Sequence, residues 1–85
     1  MFDLGRIVMT CGVAALDVED EIMCCLQRHA AGDWGIVCDE DKQTNDWSVK
    51  NNSRIVSAYM VEDTKIFIIT ECDRSYTTVL LPEEY

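Results

Sequence analysis

Cys24, Cys25, His29 and Cys38 are the side chains of this sequence whose types suit metal ligation. Cys25 and His29 stand four positions apart, the spacing that puts two side chains on one face of a helix, so zinc is the first chemistry to weigh. Structural zinc sites draw two ligands from each of two compact segments, whereas Cys38 stands alone across a loop. Cys25 also falls on an apolar face, where a thiol behaves as a small hydrophobe. The same Cys25 and His29 are the one nucleophile-and-base pairing open to a chain with a single histidine, and no third group is identifiable to orient them. From Asp39 to Asp46 the carboxylates resemble the start of a calcium loop. Thr44 occupies the place of the required glycine and Lys50 that of the bidentate glutamate, so calcium does not fit. The expectation is no catalytic residue, no metal and no cofactor, hence no enzyme. A small metal- or ligand-binding module built on Cys24, Cys25, His29 and Cys38 is the alternative.

A second set of residues suits binding. Glu19, Asp20, Asp33, Asp39, Glu40, Asp41 and Asp46 are carboxylates in two dense clusters, and Trp34 and Trp47 flank the second of them. Aromatic side chains beside charged rims are common binding hot spots, although a small core also uses them for volume. Asp73 and Arg74 fall at a hairpin tip, where either a contact site or an Asp-initiated turn is expected.

The 85 residues allow one hydrophobic core, and the hydrophobic fraction of 48% is that of a folding chain, so residues 1–85 read as a single domain. The 16 carboxylates against 7 Lys and Arg leave a net charge of −9, which repels phosphate. Direct binding of nucleic acid or of an anionic membrane is disfavoured, and a protein with a basic surface is the favoured partner. Five cysteines without regular spacing read as reduced thiols, and no stretch approaches the roughly 18 apolar residues of a membrane span, so the expected location is the cytoplasm.

The elements that would position these residues follow from periodicity. Residues 4–10 are a short β-prone run, read as an edge strand or extended arm, and Ala14 to Leu16 suit a helical turn. Asp17 is the expected N-cap of a helix reaching about Ala30, with Val18, Ile22, Cys25, Leu26 and His29 on its buried face. Gly32 stops it, and Trp34 is expected to fold back on the core. A second helix, from about Asp39 to Lys50, has mediocre propensity and is expected to turn Trp47, with Gln43 and Val49, inward. Beyond the breaker Asn51-Asn52-Ser53, strands are expected at 54–61, 65–70 and 76–81, joined by turns too short for parallel crossovers. The fold class is therefore α+β: a short N-terminal strand, one or two helices, then a three-stranded antiparallel β-meander with the helices packed on one face.

Three segments carry a likeness: residues 29–35 (His-Ala-Ala-Gly-Asp-Trp-Gly), 54–59 (Arg-Ile-Val-Ser-Ala-Tyr) and 65–85, which includes Thr-Glu-Cys-Asp-Arg-Ser-Tyr. Together they resemble a family of small plasmid- and phage-borne bacterial proteins called plasmid-related. The resemblance implies carriage on a mobile genetic element and supplies no catalytic residues. It fits an expected role in which the acidic helical side binds a host nucleic-acid-handling protein, as an anti-CRISPR or anti-restriction inhibitor does. Homo-oligomerisation through a sheet edge is a further expectation.

Overall fold

The computed structural model describes residues 2–85. In chain order the elements are strand β1 (Arg6–Met9), a short helix α1 (Cys11–Ala14), helices α2 (Glu19–Ala30) and α3 (Asp39–Asn51), strands β2 (Ile55–Val61), β3 (Thr64–Thr70) and β4 (Tyr76–Leu80), and a 3-10 turn (Pro82–Glu84). The fold is α+β, but its sheet has four strands in the order β1-β4-β3-β2 and is mixed. The β2-β3-β4 meander is antiparallel as expected, and β1 extends it by pairing with β4 in parallel, Val8 opposite Thr78. A three-stranded sheet is thus corrected to four. Two local features make the fourth strand fit. Gly5, at φ +65°, lies so close to residues 74 and 75 that a Cβ would meet the Arg74 and Ser75 carbonyl oxygens at 2.4 Å. The Thr77 hydroxyl then donates to the Leu4 carbonyl at 2.6 Å, which anchors the arm leading into β1.

One face of the sheet carries the main core. Alternation places Tyr59, Val61, Ile66, Ile68 and Val79 on it, and α2 covers them with Val18, Ile22, Cys25 and Leu26, all buried. Burying each large aliphatic side chain contributes about 1.5–3 kcal/mol, so this face supplies most of the stabilisation of α2. The helix begins at Glu19 rather than at Asp17. Val18 is its N-cap residue and is itself drawn into the core, while Asp17 takes the left-handed conformation at φ 56° that feeds it there. At the other end Gly32, at φ 89°, ends α2 as expected.

Helix α3 does not join α2 on that face. It sits against the outer edge of β2, where the Asn45 amide donates to the Val56 carbonyl at 2.7 Å and its oxygen accepts from the Val56 N–H. The next outward-facing residue on that edge, Ala58, is taken by the main chain of residues 34–36: Ala58 N–H donates to the Trp34 carbonyl and Ile36 N–H to the Ala58 carbonyl. The inward face of α3 is therefore polar, Asn45 and Ser48, and Trp47 stands 58% exposed. The inward placement of Trp47 and Gln43 is corrected for a physical reason. The Val56 N–H and C=O, covered by α3, need hydrogen-bond partners, and an amide on a polar helix face supplies both.

Candidate interaction site

The first turns of α2 and α3 each carry three carboxylates, Glu19, Asp20 and Glu21 on one and Asp39, Glu40 and Asp41 on the other. Placed there they complement the helix macrodipoles, which explains their tolerance locally. All six are exposed, and none forms a hydrogen bond or ion pair among the described residues. Among the described residues the two ion pairs join Arg28 to Asp33 and Arg54 to Glu71, so neither neutralises the acidic turns.

The remaining candidate residues are occupied internally. Trp34 is buried, as expected, and its indole N–H donates at 2.9 Å to the carboxylate of Asp46, which stays exposed but is held by this bond. Asp33 accepts from Arg28 at 2.8 Å and from the Gly35 N–H, and these two donors hold its carboxyl below the usual carboxylate range. Asp73 accepts from the Ser75 hydroxyl and N–H, the Asp-initiated turn. Arg74 is not a surface cation awaiting a partner. Its guanidinium donates to the carbonyls of Ser53 at 2.7 Å, Ser48 at 2.9 Å and Glu71 at 3.0 Å, tying the β3–β4 turn to the end of α3.

The metal-type residues are not assembled. Cys24 and Cys38 are exposed, Cys25 is buried, and no group of three or more His, Cys, Asp and Glu is arranged to hold a metal ion among the described residues. Both nitrogens of His29 are engaged, Nδ1 with the Ser57 hydroxyl at 2.5 Å and Nε2 with that of Thr70 at 2.8 Å. Thr70 continues to Thr77 at 2.8 Å, and Thr77 to the Leu4 carbonyl. The direction of this chain follows from its end. A carbonyl only accepts, so Thr77 spends its hydrogen on Leu4 and accepts from Thr70. Thr70 in turn accepts from His29 Nε2–H, leaving Nδ1 bare to accept from Ser57. Burial, with the Arg74 charge adding to it, pushes the His29 pKa down to about 4, in keeping with this neutral tautomer. Ser57 beside His29 has the look of a nucleophile and base, yet both are fully buried and no substrate reaches them.

The solvent face of α3 remains. Opposite Asn45 and Ser48, a turn of 100° per residue brings Glu40, Gln43, Trp47 and Lys50 together, with Trp47 at the centre. On the other flank of α3 an open cleft of about 300 Å³ is lined by Asp41, Thr44 and Asn45 of the helix, by Val56 and Phe67 of the sheet, and by Arg54 and Tyr85. The position of α3 was readable in advance; which of its faces turns inward was not, since that depends on the β2 edge.

No protein-family model matches the chain, and the searches of curated proteins and of solved structures found no match either. No helix among the described residues is long and apolar enough to cross a membrane.

Proposed function

We propose that this chain is a non-enzymatic interaction protein of a mobile genetic element that binds a host protein with a basic surface, in the manner of an anti-CRISPR or anti-restriction inhibitor of a nucleic-acid-handling complex. The observation that carries this reading is Trp47, exposed on a solvent face of α3 that it shares with Glu40, while Asp39 and Asp41 stand beside Glu40 in the first turn of the same helix. An exposed indole two turns from the unpaired carboxylates of Asp39, Glu40 and Asp41 suits a partner that presents arginine or lysine side chains at both places, because the ring face attracts one cation and the carboxylates attract others. The likeness to plasmid- and phage-borne proteins supports the biological setting, and the net charge of −9 supports the sign of the partner.

Capture from bacterial lysate on immobilised protein tests it, with Trp47→Ala and the triple reversal Asp39→Lys, Glu40→Lys, Asp41→Lys in parallel. A partner retained by the native chain, lost with both variants, weakened by salt and displaced by duplex DNA fits the reading. Retention unchanged by the triple reversal, or insensitive to ionic strength, overturns it.

A further inference from the structure

The two edges of the sheet are treated differently. On β2 the outward groups of Val56 and Ala58 are satisfied by Asn45 and by residues 34–36. On β1 the alternation fixed by Arg6 N–H to the Ser75 carbonyl and Thr10 N–H to the Val79 carbonyl turns Arg6, Val8 and Thr10 toward β4. Ile7 and Met9 therefore direct their N–H and C=O groups outward, and no backbone group among the described residues bonds them. Beside them the side chains of Ile7 and Val8 are 39% and 40% exposed. Arg6 and the four-residue length are the protections on this edge; no bulge or proline interrupts Ile7, Val8 and Met9.

We propose that β1 is a homodimerisation edge on which a second copy of the chain adds its own β1 antiparallel, making one eight-stranded sheet. The strand fits itself. With the two-fold axis at Val8, Ile7 of each copy exchanges both main-chain hydrogen bonds with Met9 of the other, and the two Val8 side chains meet as a closely spaced non-hydrogen-bonded pair. Apolar side chains then face apolar ones on both sides of the ladder, and Arg6 falls opposite Thr10. Arg6, the one charge on β1, disfavours a cationic strand on this edge, and the acidic α3 of each copy lies against β2 at the far edge, which keeps the α3 carboxylates of the two copies apart. A closed two-fold pairing consumes the open edge and adds apolar burial to a core of only 85 residues. The reading of α3 is independent of it.

Sedimentation equilibrium from micromolar to submillimolar loading tests the state, with Val8→Lys as the edge-blocking variant. The native chain is expected to dimerise, and Val8→Lys, which sets two ammonium groups opposite each other at a site exposed in the monomer, to weaken the dimer by at least about tenfold with an unchanged circular dichroism spectrum. In a background with the exposed Cys11, Cys24, Cys38 and Cys72 changed to Ser, oxidised Val8→Cys is expected to give a covalent dimer, because the facing Cα atoms lie about 4.5 Å apart. Met60→Cys, exposed on β2, is expected to give no covalent dimer under the same oxidation. A native chain monomeric at every loading, a dimer indifferent to Val8→Lys, or a lysine-rich extended peptide displacing the second copy would each overturn the proposal. Trp47→Ala is expected to leave the dimer intact, so that loss of the lysate partner and loss of dimerisation are separable.

Discussion

Thr77 has one hydrogen to give, and the rest of the buried chain takes its direction from where that hydrogen goes. The result is a histidine held neutral and fully buried, with a folded pKa of about 4 against 6.5 in the unfolded chain. Because the unfolded state takes up the proton first, this contribution is complete above about pH 6.5 and is lost progressively as pH falls toward 4, on the order of 3 kcal/mol over the window. His29 is the only histidine in the chain. Urea unfolding followed from pH 7 to 4.5 should therefore show the midpoint falling, and His29→Gln, less stable at pH 7, should flatten that interval. Arg74 makes the second prediction at this scale. Arg74→Lys should cost about 1–3 kcal/mol in thermal or denaturant unfolding, because the three N–H groups of an ammonium radiate from one nitrogen whereas the guanidinium meets the Ser53 and Ser48 carbonyls from two, Nη1 and Nη2. A loss below a few tenths of a kcal/mol would mean that water replaces the guanidinium at those carbonyls.

At the scale of elements, the strand runs and α2 were readable because their side chains answer to a period set by one buried face. Val18, Ile22, Cys25, Leu26 and His29 all lie inside, as the spacing of four and three required. What periodicity does not carry is pairing across long separations. The partnership of β1 with β4 depends on Gly5 and Thr77, seventy-two residues apart, and the polar inward face of α3 depends on an edge that does not exist until β2 has formed. The same gap explains the candidate site. Trp34 and Asp46 were both legible as binding residues, yet their hydrogen bond to each other is a tertiary fact. Two element-scale predictions follow from geometry. Asn45→Ala leaves the Val56 N–H and C=O without partners and should lower stability by about 1–3 kcal/mol, read by chemical unfolding. The β2–β3 turn holds Glu62 at φ 49° and Asp63 at φ 65°, the conformation in which Asn-Gly is preferred. Glu62→Asn with Asp63→Gly should therefore raise stability by about 1 kcal/mol while removing two negative charges.

At the scale of the whole molecule two electrostatic effects oppose each other, and magnitudes decide between them. The carboxylates at the starts of α2 and α3 each gain about 0.3–1 kcal/mol from the helix dipoles, roughly 3 kcal/mol for the six. Against this stands the mutual repulsion of a net −9 in a body of 34 × 26 × 21 Å. At separations of about 15 Å in water each pair of charges repels by on the order of 0.3 kcal/mol, and nine charges form about 36 pairs. The Cα radius of gyration is 11.9 Å when folded. It rises to roughly 29 Å when unfolded, so more than half of that repulsion is released on unfolding. Folding at low salt is therefore opposed by about 5 kcal/mol of repulsion and favoured by about 3 from the dipoles. Salt shortens the Debye length from about 30 Å at 10 mM to about 8 Å at 150 mM and removes the longer-ranged of the two first. The midpoint of thermal unfolding should consequently rise by several degrees between those concentrations, since about 1 kcal/mol corresponds to roughly 4–8 °C for a domain of this size. A midpoint that falls with salt would show that the local attraction at the helix starts outweighs the global field, and would remove the electrostatic ground for assigning the acidic turns to a partner.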